Sequence, residues 1–229
     1  MRSVMSFLCV AAMAVACSGN RVADRTQEGS VYERDCTGRA LAIYETVEDT
    51  PSLVARVGSV MTKDQLLRLE QLVAQGSVTS AVLGYANVGD TAALNRLMAE
   101  PNIAGVLDRD VRLLWAAEPE TLGTATLMPL YALKVSDGTA AMEGRLITHA
   151  ALTRVESGDG FAIEVTLTDA ATDDFAKLTR ENIGRQIAVA IDGKVVMAPF
   201  VQSEVTGGHI SITPGAMTEE RCREIVDRL

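Results

Sequence analysis

The chain has 229 residues, of which 48% are hydrophobic and 22% charged, and a formal net charge of −9. That is apolar material enough for a core, while an acidic balance without a Lys/Arg cluster makes a poor nucleic-acid binder, and no nucleic-acid partner is expected. Nothing after residue 17 stays apolar for the ~20 residues that a membrane-spanning helix takes.

The first predicted element is a secretory signal over 1–16. Arg2 supplies the positive charge, and Val4 to Ala16 is apolar apart from Ser6. Residues Ala14-Val15-Ala16-Cys17 resemble the lipobox of bacterial lipoproteins, although that family usually has Leu where Ala14 stands. The resemblance implies acylation of the Cys17 thiol and a cell-envelope location facing the periplasm. Ser18, where an Asp often means inner-membrane retention, favours the outer membrane. Residues 17–35 are mostly polar and read as a flexible tether.

Leu41 to Val47 alternates as a strand. Thr62-x-x-Gln65 is a capping box, followed by Leu66, Leu69, Leu72 and Val73 at helical spacing, with Gly76 as the stop. Asp90 or Thr91 opens a second helix through Leu94, Leu97 and Met98, and Pro101 stops it. Val111 to Trp115 is a strand. Residues 117–126, with Pro119 and Gly123, read as a linker and divide the chain into an N-terminal α+β lobe (36–126) and a second domain (127–229).

The second half carries strands over Leu130 to Val135, Leu146 to Val155 and Phe161 to Leu167, then a helix from Asp169 to Asn182 that ends at Gly184. Asp192-Gly193 joins two further strands as a hairpin. His209 to Thr213 is extended, and Thr218 caps a last helix on which Cys222, Ile225, Val226 and Leu229 share one face. Hairpin joints among interleaved helices predict an α+β fold with a mainly antiparallel sheet and helices on one face.

Cys36 and Cys222 are the cysteines left once Cys9 departs with the signal and Cys17 takes the lipid. After export a bridge between them is allowed and would add at most about 5 kcal/mol; two buried thiols are the alternative. The two histidines, His149 and His209, lack metal-ligand spacing, and Asp169, Asp173 and Asp174 lack that of a calcium loop. There is no nucleophile elbow or phosphate loop. No catalytic residue, metal or cofactor is expected.

One ordered series remains. Phe175-x-x-x-Thr179-x-x-Asn182-Ile183-Gly184-Arg185-Gln186, then Ile191-Asp192-Gly193-Lys194, Ala198-Pro199, Gly207-Gly208 and Thr218-x-Glu220 resemble SecD, in the head of its first periplasmic domain. The resemblance covers about 128 to 229, and 41 to 116 more loosely resembles the portion before the head. It implies a head-like fold and a non-enzymatic role in protein export. Exported polypeptides or Sec translocase components would be the partners, met at the hairpin tips near Asp192-Gly193 and Thr206 to Gly208 or along an apolar groove or edge strand. The motif residues each have a structural reason to be present, so the motif marks a fold more than a chemical site. Two departures are noted: Ile212 to Thr218 replaces the usual Gly-x-Phe-Thr, and the chain reaches Leu229 without the membrane helices of SecD. The expectation is a head held to a membrane by lipid alone. An envelope module reusing the fold for another ligand is the alternative, and an envelope hydrolase the third.

Overall fold

The computed structural model describes residues 30–36, 40–76, 81–107, 110–155, 160–213 and 217–229. The signal, Cys17 and the tether up to residue 29 lie outside the described residues, as do 156–159 of the expected turn and 214–216 of the departing segment.

In chain order the elements are β1 (Ser30–Asp35), β2 (Leu41–Glu45), α1 (Thr50–Val60), α2 (Lys63–Leu72), β3 (Val73–Gly76), β4 (Val82–Asn87), α3 (Thr91–Met98), α4 (Pro101–Leu107) and β5 (Val111–Trp115). Then come β6 (Glu120–Leu122), β7 (Ala125–Lys134), β8 (Met142–Glu143), β9 (Ile147–Arg154), β10 (Phe161–Leu167), α5 (Asp169–Glu181), β11 (Ile187–Ile191), β12 (Lys194–Met197), β13 (His209–Ile212) and α6 (Glu219–Arg228). They form three sheets of antiparallel pairs, ordered β1-β9-β10-β13, β12-β11-β2-β8 and β3-β4-β7-β5, with β6 added to β7. The α+β class read from the sequence is the class observed.

Three apolar clusters fill the molecule, the first of them shared by the first and second sheets, with Ile43 of β2 and Val189 of β11 among its members. The first sheet buries Ile163, Val165 and Leu152 against Phe175 of α5 and Val226 of α6. The third sheet buries Leu130 and Ala132 against Leu53 of α1, Leu97 of α3 and Ile103 of α4. Between them a small-residue seam, with Ala81, Ala116, Ala188 and Ala190 around Tyr44 and Tyr131, joins the second sheet to the third.

Local chemistry sets the element ends. Asp49 Oδ1 accepts the Ser52 amide at the start of α1. The capping box forms as read: Thr62 Oγ1 accepts from the Gln65 amide at 3.3 Å, and Gln65 Oε1 accepts from the Thr62 amide at 2.7 Å. Thr168 Oγ1 accepts the Ala171 amide at the start of α5, and Thr218 Oγ1 the Arg221 amide at the start of α6, each a one-way cap. Asp192 and Gly193 take φ of 50° and 73°, the left-handed pair that a tight hairpin turn needs.

Four expectations are corrected. The tether does not run to residue 35, because Ser30–Asp35 is a strand on β9. Tyr32 holds it there, beneath the Arg223 guanidinium and donating to Asp227 Oδ1 at 2.6 Å. The helix of Leu66 and Leu69 ends at Leu72 rather than Gly76, since Val73 is already extended and enters β3 directly. Pro101 does more than stop α3: it opens α4, at the one turn where its missing N–H is not needed. The 117–126 linker contains β6 and its turn into β7, with Gly123 at φ 64°. Its polar composition hid a pairing. The expected division at 126/127 therefore falls inside β7, and β1 and β2 join sheets built mainly from the second half.

Candidate functional site

The motif residues fold onto one another. Phe175 and Thr179 face inward from α5, 2% and 1% exposed. Thr179 Oγ1 donates to the Phe175 carbonyl at 2.8 Å and accepts the Val205 amide at 3.0 Å, fastening the loop after β12 to the helix. Asn182 Nδ2 donates to the Leu178 carbonyl at 2.9 Å, closing the helix end. Gly184 turns with φ 80°, and its amide donates to the Val201 carbonyl. The Pro199 carbonyl accepts the Ile187 amide at 3.1 Å. At Gly208, φ is 67° and a Cβ would stand 2.7 Å from Thr172 Oγ1, so only glycine fits. The space between α5 and the 199–205 loop is about 20 Å³, room for a water and no ligand.

Two apolar side chains stand outside this knot. Ile183 is 52% exposed and Phe200 53%. They lie on the two paired segments 183–187 and 199–201.

The expected hairpin tips are engaged. Asp192 pairs with Arg228 of α6 at 2.9 Å, and Gly208 packs on Thr172. Gln186 carries more than its place in the motif suggests. Its Oε1 accepts the Ala81 amide at 3.1 Å, its Nε2 donates to the Ala198 carbonyl at 2.8 Å, and its own carbonyl accepts from Thr46 Oγ1 at 2.9 Å. One residue thus joins segments at 46, 81 and 198, and no spacing in the sequence could have shown it.

Cys36 and Cys222 are free thiols sharing one apolar cluster. Cys36 follows Tyr32 and Arg34 at alternate positions of β1, and those two reach Asp227. Cys222 stands more than a turn earlier on α6. Burial pushes both thiols up from their ordinary range.

The histidines, sixty residues apart in the chain, flank Thr166 in one cross-strand row. His149 Nδ1 is 3.5 Å from Asp35 Oδ1, and His209 Nδ1 is 3.4 Å from Thr166 Oγ1. Among the described residues no group of three His, Cys, Asp or Glu could hold a metal.

The larger concavity is elsewhere. A groove of about 640 Å³ runs along β5, walled by α3 and α4 on one side and reaching Gly138 and Gly193 on the other. That volume lies in the range of ligand sites, ~300–1,000 Å³. β5 is an edge strand. The Ala116 amide bonds to Pro129 and the Asp110 carbonyl receives Val135, so even-numbered residues turn their backbone toward β7. By the alternation of an antiparallel pair, Val111, Leu113 and Trp115 turn their N–H and C=O groups into the groove. Past the strand, the Ala117 amide bonds to the Val195 carbonyl, so β12 closes one end. Val111, Leu113 and Trp115 pack on the α3–α4 side, and Trp115 Nε1 is fixed by Asn95 Oδ1 at 2.8 Å. Arg112 lies on the other face, donating from Nη1 to Tyr44 Oη at 3.1 Å and from Nη2 to the Gly138 carbonyl. The groove thus combines apolar walls with backbone groups that β7 does not use.

Residues 129–227 match the family model described as SecDF, P1 head subdomain. The chain is 31% identical over 204 residues to the protein translocase subunit SecD of Rhodothermus marinus, an alignment covering 85% of this chain and 31% of that protein. It is 32% identical over 138 residues to SecD of Sebaldella termitidis, covering 59% of this chain and 31% of that one. The chain thus spans about a third of the length of these relatives. Among solved structures it is similar to SecDF, described as a membrane component that enhances protein export, with 16% identity, a TM-score of 0.36 and coverage of 81% of this chain and 91% of that chain. Residues 129–227 are homologous to the SecDF P1 head, as their motifs led one to expect.

Proposed function

We propose that the chain is a non-enzymatic lipoprotein of the cell envelope that binds polypeptides, or components of the translocase, in Sec-dependent export. Homology of residues 129–227 to the P1 head supports the export setting. The observation that carries the binding role is the open edge of β5 along its groove. Strand addition there supplies main-chain hydrogen bonds of any sequence, and the groove walls sort side chains. The reading includes acylation of Cys17 behind a 1–16 signal, with the outer membrane as the destination. It also takes 36–126 as an N-terminal lobe resembling the pre-head part of SecD and 127–229 as the head-like part, although their strands are woven together.

A photo-crosslinking residue at Leu113 in cells, with another at the exposed Lys177 as control, tests the binding role. Adducts with exported polypeptides or Sec components from position 113 are expected; a bare 113 with export running would sink it. Fatty-acid labelling of the chain, lost in Cys17→Ser, tests the anchor separately.

A further inference from the structure

The groove is apolar on one wall and charged on the other. Met98, Leu107, Leu113 and Trp115 form the first, and Arg112 is the charged side chain of the second. Among the described residues Arg112 pairs with no carboxylate; its partners are a phenol and a carbonyl. Asp110 and Asp137 are exposed and do not line the groove, and Asp192 is held by Arg228. So, among the described residues of a chain of net charge −9, a guanidinium stands without a counter-charge at the edge of the open strand.

We infer that the groove selects extended segments carrying a Glu or Asp side chain among alternating apolar residues, the carboxylate meeting Arg112. This rests on the polypeptide-binding reading. A strand added to β5 sends alternate side chains to opposite faces, about 5 Å from those of β5. One set enters the α3–α4 wall and gains from burial. The other set covers Arg112. Covering an uncompensated charge with a neutral residue costs desolvation, and a lysine there adds repulsion, whereas a carboxylate makes a charge-assisted hydrogen bond. The chain's overall negative charge does not reverse this. At physiological salt, charges beyond about 8 Å are largely screened, while the Arg112 contact is direct.

The test is fluorescence anisotropy at physiological salt on the purified full chain. The probes are three labelled nine-residue peptides of alternating valine and serine, with glutamate, glutamine or lysine in place of the central serine. The glutamate peptide is expected to bind about five-fold tighter than the glutamine one, with lysine weakest. Arg112→Gln, checked by thermal melting, should remove the difference; if that variant does not fold, the peptide order on the wild-type chain decides. Leu113→Pro deletes an amide that β7 does not use, and should weaken all three peptides together. Equal binding of the three, or a preference that survives Arg112→Gln, overturns the selectivity while leaving strand addition standing if Leu113→Pro still weakens them. Absence of binding by any peptide, or indifference to Leu113→Pro, overturns polypeptide binding at this groove, and the selectivity with it.

Discussion

The helices of the first sheet and α2 beside the third bury opposite kinds of residue. On the first, α5 and α6 each turn a clean apolar stripe inward: Ala171, Phe175 and Leu178 on one, Cys222, Ile225 and Val226 on the other. On the third, the one fully buried residue of α2 is Gln65, while Leu66 and Leu67 are 38% and 56% exposed. Gln65 is satisfied by hydrogen bonds to Asn102 and Glu100, so polar contacts do there what packing does in the head. The lesson is a division of labour. The recognisable motif lies where helices bury their apolar stripes, and the groove lies along the edge of β5 on the third sheet.

The comparison can be broken most forcefully at Phe175. Phe175→Ala should cost about 3–5 kcal/mol in denaturant unfolding, since the helix loses its anchor and leaves a cavity; a loss below 1 would mean the head is not organised around it. Gln186→Ala should cost about 2 kcal/mol by leaving the Ala81 amide and Ala198 carbonyl unpaired, and hydrogen exchange should show the loss in β4 as well as β11. Thr62→Ala should cost about 1 kcal/mol, confined to α2. The smallest effect is that of acid. The Ser52 hydroxyl and amide hold the Asp49 carboxyl below its usual range, and Gln65 and then Arg68 do so for Glu100. A carboxyl lowered in the folded state stabilises above its unfolded pKa and loses that contribution as pH falls through the folded one. Protection of α1 and α2 against exchange should therefore fall below about pH 4. Unchanged protection at pH 3 would show that these caps are not what secures the layer.

Much of the head was legible because its signals are local. Asp192-Gly193 dictates its own turn, Thr218 its own cap, and Cys222 to Leu229 its own face. The motif carried the homology for the same reason. What escaped was set by distance. β6 and its turn look like a linker until β7 is beside them, and Ser30–Asp35 looks like a tether until β9 is. The groove was anticipated only as a kind of feature. How far the edge of β5 stays open is set by where β12 meets it, through a bond between Ala117 and Val195, residues far apart in the chain. Leu66 to Val73 had helical spacing, yet spacing could not tell that Gln65 is the residue buried.

The pairing of β2 has a consequence for the order in which the chain acquires structure. Leu41–Glu45 lies against Ile187–Ile191, and β1 against β9. Export, like synthesis, delivers a chain N-terminus first, so the earliest strands wait for partners that follow more than a hundred residues later. Closing such long loops precedes any reward from the contacts, which slows folding and lengthens the time that bare strand edges are on show. A protein proposed to receive extended chains is itself, until its second half arrives, an extended chain in need of a receiver.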